Sequence, residues 1–155
     1  YAQALGMKVL CYDPLRNPDE MRATGAEPVQ LDDIYARADI ITFHVPLIPE
    51  TKHMVNDETF AKMKDGVLLV NVARGGIIEE AALLRALESG KVAGAALDVY
   101  EKEPPVDWKI AEHPKVIAVP HVGGQTEEAQ IRVAGDIASE VMNVLQGNQL
   151  RWKIC

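Results

Sequence analysis

Five short runs of almost unbroken apolar residues, each followed by turn chemistry and then a helical pattern, constrain this chain more than anything else in it. They are Met7 to Asp13 (MKVLCYD), Asp39 to His44 (DIITFH), Val67 to Val72 (VLLVNV), Val92 to Asp98 (VAGAALD) and Val116 to Val119 (VIAV). A strand with one wet face alternates apolar and polar residues, and these do not. They therefore read as strands of a parallel sheet with both faces covered. Aromatic residues are 5% of the chain, so the core must be built from Val, Ile, Leu and Ala.

Helical patterns fill the gaps between the runs. Pro18 to Thr24 and Asp32 to Arg37 are short, and Asn56 to Met63 opens on a residue suited to capping the first turn. Glu79 to Ser89 starts with two acids and stops before Gly90, a residue suited to the left-handed end of a helix. Thr126 to Gln146 is the longest and carries Ala134, Ile137, Ala138, Val141 and Leu145 along one face. Strands alternating with helices predict an α/β fold, a Rossmann-like doubly wound parallel sheet with right-handed crossovers, over residues 1–147, with 148–155 as a tail.

Bulk properties exclude several functions. The 155 residues suffice for one domain with a core. A net charge of −7 speaks against nucleic acid as a partner, which needs a basic face. No apolar run approaches the roughly 20 residues of a membrane span, and no basic start with an apolar stretch suggests a signal peptide. The two cysteines, Cys11 and Cys155, do not make a disulfide framework, and a cytoplasmic location is expected. No zinc spacing of Cys, His or acids occurs, so no metal is expected.

Ligands on parallel sheets bind beyond the carboxyl ends of the strands. The unusual residues gather there: Asp13-Pro14, His44-Val45-Pro46, Ala73-Arg74-Gly75-Gly76, Asp98 and Pro120-His121. A carboxylate closing a strand, such as Asp13, can accept both hydroxyls of an adenine ribose; it can equally be a turn residue before Pro14. The glycines after Arg74 let the chain turn sharply, so its planar guanidinium can reach into a cleft and match a carboxylate; a surface arginine in a loop fits the same spacing. Glu103, ahead of two prolines, reads either as a partner for a histidine or as part of a solvated acidic loop. His121, between a strand and Gly123-Gly124, suits acid/base work, or is a structural histidine. His53 and His113 sit in polar loops and read as solvated surface residues.

Four stretches together resemble the D-isomer-specific 2-hydroxyacid dehydrogenase family: GMKVLCYDP (6–14), HVPLIPET (44–51), NVARGGIIEEAALLRALESGKVAGAALDVYEKEPP (71–105) and PHVGGQTEEAQ (120–130). The resemblance runs from the first residue to about Gly147. It implies hydride exchange between NAD and a D-2-hydroxy acid, with 3-phosphoglycerate as the expected substrate and serine biosynthesis as the context. Glyoxylate or hydroxypyruvate reduction is the alternative. It implies that Arg74 clamps the substrate carboxylate, that His121 is the acid/base and that Glu103 pairs with it. Asp13 and Pro14 would meet the adenine ribose, favouring NAD over NADP. His44, Val45, Pro46, Val72, Ala73, Arg74, Asp98 and His121 would line the remaining cofactor pocket, and Gly123 and Gly124 would let the cofactor approach the backbone. A homodimer or higher oligomer is expected of the full-length parent.

Two details depart from the family pattern. Val-Gly-Gly-Gln follows His121 in place of Leu-Gly-Ala-Ser, and Val72 stands where Cys is common. A larger departure is that no GxGxxG turn occurs anywhere in the chain. The family carries that turn, with its strand, just before Gly6. The chain is therefore expected to be an incomplete piece, weak in NAD binding and inactive by itself; a non-catalytic binding module is the competing reading. With that strand absent, the 7–13 run is expected to pair directly with the 67–72 run. The sheet then closes in the flavodoxin-like order 2-1-3-4-5, with the five runs numbered as they occur. Otherwise a gap with open strand edges remains.

Overall fold

A computed structural model of the chain describes residues 1–151. It divides into two compact units, Tyr1–Pro120 and the residues from His121 onward. Of the 148–155 tail, the last four residues, Cys155 among them, lie outside the described residues.

The first unit opens with a 3₁₀ turn, Gln3–Leu5. Strand β1 (Leu10–Cys11), helix α1 (Pro18–Ala23) and strand β2 (Glu27–Pro28) follow. Next come α2 (Leu31–Arg37), β3 (Ile40–Phe43), α3 (Asp57–Lys62), β4 (Val67–Asn71), α4 (Glu80–Ser89), β5 (Val92–Leu97) and β6 (Val116–Ala118). All five expected helices and all five expected strands form. The 7–13 strand shrinks to two residues, because its ladder partner β2 is only two residues long.

Closure of the sheet is refuted. Strands β3, β4, β5 and β6 pair in that order, all parallel, while β1 pairs with β2 in a separate two-stranded sheet. The reason is register. Ile41 and Phe43 of β3 pair opposite Leu69 and Asn71, while β5 pairs along the other side of β4. Both edges of β4 are thereby filled, leaving β1 no place beside it.

The two faces of the sheet are unequally covered within this chain. Along β3 and β4 burial alternates: Ile41, Phe43, Val67 and Leu69 are buried, while Ile40 is 45% and Leu68 41% exposed. Ile117 of β6 is 72% exposed. The packed face meets Tyr35 of α2, Phe60 of α3, and Ala82, Leu83, Ala86 and Leu87 of α4 in one core. Lys91 and Lys115 tie this layer together: Lys91 Nζ donates to Met63 O at the end of α3, and Lys115 Nζ to Leu87 O in the last turn of α4.

The second unit is a turn leading into helix α5 (Glu127–Leu145), capped by Thr126, whose hydroxyl accepts the Ala129 N–H. No α5 residue is buried; Ile137, Val141 and Leu145, all on its expected apolar stripe, are more than half exposed.

Candidate active site

Because β3 to β6 run parallel, their carboxyl ends share one edge, and the segments beyond them carry most of the expected site. The 72–79 loop is shaped by Asn71, which is buried at the end of β4. Its amide Nδ2 donates to Arg74 O at 3.0 Å, and its Oδ1 accepts the Ala73 N–H at 3.1 Å. A buried amide paired on both sides fixes the local backbone. Arg74 leaves this turn exposed, with Nη1 on Ala73 O.

Gly75 then passes against the segment beyond β5. A Cβ placed on it would stand 1.7 Å from Tyr100 O and 2.2 Å from the Tyr100 carbonyl carbon. Only glycine permits that approach. Tyr100 is itself buried, and its hydroxyl lies 3.3 Å from both Leu97 O and Val119 O. Burial, followed by the charges of Asp98, Glu80 and Glu103, raises its pKa above the ordinary phenol value. The Tyr100 N–H donates to Glu103 Oε1 at 3.1 Å, so Glu103 is held by its own loop, three residues from the contact with Gly75. The loops bearing Arg74 and Glu103 are thus brought together by backbone packing.

The other expected residues distribute as follows. Asp98 is buried at the end of β5, and its N–H donates to Asn71 O. Val72 is 46% exposed, with Ala73 partly buried beside it. Beyond β3, His44 Nε2 lies 2.9 Å from Thr42 Oγ1, and Pro46 O accepts the Thr51 hydroxyl; Val45 packs against the core. Asp13 and Pro14 follow the two-stranded sheet, not the four-stranded ladder. Asp13 Oδ1 accepts the Leu15 N–H at 2.9 Å, so one of its oxygens serves the turn. His121 opens the second unit with φ 54°, in the left-handed region, and Gly123 and Gly124 follow it. A Cβ on Gly124 would meet open space. Among the described residues, no group of three His, Cys, Asp or Glu could hold a metal ion, and no helix is long and apolar enough to cross a membrane.

An edge with accessible apolar surface at Val72, an exposed guanidinium and buried Asp98 suits a nucleotide with a carboxylate substrate beside it. The profile of the D-isomer specific 2-hydroxyacid dehydrogenase NAD binding domain matches residues 1–123. The chain belongs to this family. NAD is the cofactor of the family's domain. Within the family, the chain is 52% identical over 146 residues to the D-3-phosphoglycerate dehydrogenase of Bacillus subtilis, covering 94% of the chain. It is 47% identical over 148 residues, 96% of the chain, to that of Homo sapiens. It spans 28% of the length of each. A glyoxylate reductase from Paecilomyes thermophila superposes with a TM-score of 0.91 at 37% identity, over 99% of this chain and 46% of that one. The D-lactate dehydrogenase from Aquifex aeolicus, complexed with NAD and lactic acid, gives 0.84 at 34% identity, over 96% of this chain and 49% of that one.

Sequence reasoning missed three family-domain residues that join the loops. His53, read as solvated, has its Nε2 3.3 Å from Glu101 Oε1. Glu80 and Glu101 each accept the other's backbone N–H. Neither periodicity nor motif marks such contacts, because they join residues far apart in the chain.

Proposed function

We propose that this chain is the cofactor-side domain of an NAD-dependent D-2-hydroxyacid dehydrogenase acting on 3-phosphoglycerate and 3-phosphohydroxypyruvate. The reading is carried by the 52% identity to a D-3-phosphoglycerate dehydrogenase over 94% of the chain. In this reading the Arg74 guanidinium grips the substrate carboxylate as a two-pronged fork. His121 takes the proton of the 2-hydroxyl during oxidation and returns it to the carbonyl oxygen during reduction. Glu103, the third residue of the expected catalytic set, would supply the carboxylate. NAD, when bound, supplies the hydride acceptor and donor. Val45, Pro46, Val72 and Asp98 would line its pocket, and Asp13 would accept from the adenine ribose and disfavour a 2′-phosphate. A homo-oligomeric parent in the cytoplasm completes the proposal.

A second reading, reduction of glyoxylate or hydroxypyruvate, is favoured by the glyoxylate reductase superposition. The two separate in one assay. NADH oxidation by the parent enzyme is measured with 3-phosphohydroxypyruvate, hydroxypyruvate and glyoxylate, and again with NADPH. The expected outcome is the highest kcat/KM on the phosphorylated acid and a clear preference for NADH. Higher kcat/KM on glyoxylate would move the assignment to the second reading. Replacing His121→Ala should lower kcat by about 10²–10⁴-fold with NAD binding retained. Arg74→Lys should not restore what Arg74→Ala loses, since the fork is gone.

A further inference from the structure

His53 occupies a backbone conformation uncommon for a side-chain-bearing residue, with φ 50°. Its backbone N–H donates to Gly76 O at 2.7 Å, which ties it to the loop of Arg74. Its Nε2 lies 3.3 Å from Glu101 Oε1, which ties it to the loop of Glu103. The same Glu101 oxygen accepts the Glu80 N–H at 2.9 Å, where the Arg74 loop enters α4. In return, Glu80 Oε1 accepts the Glu101 N–H at 2.7 Å. Three segments therefore converge on one carboxylate.

We propose that His53, Glu101 and Glu80 form a clasp that holds the Arg74 and Glu103 loops in fixed relation, with Glu101 as a positioning residue for substrate binding. The inference rests on the dehydrogenase reading above. Gly76 is two residues from Arg74 and Glu101 two from Glu103, so a shift in the clasp reaches both within about 7 Å of chain. The arrangement works against local stability in two ways. His53 sits in the left-handed region. Glu80, on the other side, is held above the ordinary carboxyl range mainly by desolvation; the Glu101 N–H lowers it, while the charges of Glu101 and Asp107 raise it further. Local costs of this kind gather where geometry serves function.

The test has two arms. In the parent enzyme, Glu101→Ala should raise KM for the 2-keto acid about tenfold and lower kcat several-fold, within the ~10²-fold that a 1 Å misplacement can cause. KM for NADH should stay within about twofold, since uniform binding of the cofactor is untouched. Glu101→Gln, which keeps an acceptor for the Glu80 N–H, should recover most of the loss. Unchanged KM and kcat in Glu101→Ala, or a lower Tm with unchanged constants, would overturn the clasp. In the 155-residue chain itself, hydrogen exchange is followed at Gly75–Gly76 and at Tyr100–Glu103. Glu101→Ala should speed exchange in both segments together; acceleration in one alone, or in neither, overturns the proposal. A parent without dehydrogenase activity would refute the functional reading and leave the exchange arm to decide the clasp. If Glu101→Ala fails to fold, His53→Ala, which removes the contact to Glu101 Oε1, carries both arms with the same criteria.

Discussion

Leu68 and Leu69 are the same residue, adjacent in one strand, and they live in different solvents. Leu69 is 1% exposed and packs in the core, while Leu68 is 41% exposed on the opposite face of the sheet. Their contrast extends across β3 to β6: one face carries the helices α2, α3 and α4, and the other carries apolar side chains with little over them. Hydrophobicity states that a side chain gains from burial; it does not state that the gain is realised in a given chain. The energetic content of this fold is concentrated on one side of its sheet.

The comparison breaks or sharpens under substitution. Leu69→Ala should cost about 2–5 kcal/mol, because it removes buried methyl groups and leaves a cavity. Urea unfolding measures this directly, and a loss below about 1 kcal/mol would mean the packed face is loosely packed.

Tyr35 sits under the same face, and burial, with a smaller push from Asp32, raises its pKa to about 12. In the unfolded chain it ionises near 10. The raised folded value means that its contribution is full below pH 10 and lost as the pH rises toward 12, amounting to at most about 3 kcal/mol. Urea midpoints should therefore hold to pH 10 and fall above it. Absorbance at 295 nm should show a late tyrosine phase to which Tyr35 contributes beside the likewise raised Tyr100. Tyr35→Phe should remove its share of that late phase.

Asn71→Ala is expected to cost about 1–3 kcal/mol, since the Ala73 N–H and the Arg74 carbonyl lose their partner in a partly buried turn. Smallest of all should be Leu68→Thr, within about 0.5 kcal/mol in this chain. A loss at Leu68 as large as that at Leu69 would show that the open face is covered in solution and would erase the contrast.

The sequence displayed some of this and hid the rest, for identifiable reasons. β4 and β5 are legible because long apolar runs bounded by glycine allow little else. The Arg74 and Glu103 loops are legible because Gly75-Gly76 and Pro104-Pro105 forbid regular structure beside them. β2 is not legible: Glu27–Pro28 is two residues with no period, and it exists only because α1 returns the chain alongside Leu10–Cys11. The one-sided burial was hidden because composition records affinity for a core rather than its occupancy. Direct pairing of β3 with β4 was misjudged because the order of strands in a sheet is set by tertiary packing rather than by local pattern. The Glu101 contacts were hidden because each belongs to a pair of segments that only the finished fold brings together.

The passage of Gly75 against Tyr100 has a consequence for anyone recombining relatives of this domain. The contact joins two loops on either side of α4, yet it asks for no matching pair of side chains. One partner is a peptide carbonyl, which every residue supplies, and the other is a missing carbon. A chimera crossing over inside α4 can therefore take the Arg74 loop from one parent and the Glu103 loop from another. The junction tolerates this so long as position 75 stays glycine and the Glu80 and Glu101 pair is kept, whereas a crossover that imports any other residue at 75 pushes the two loops apart.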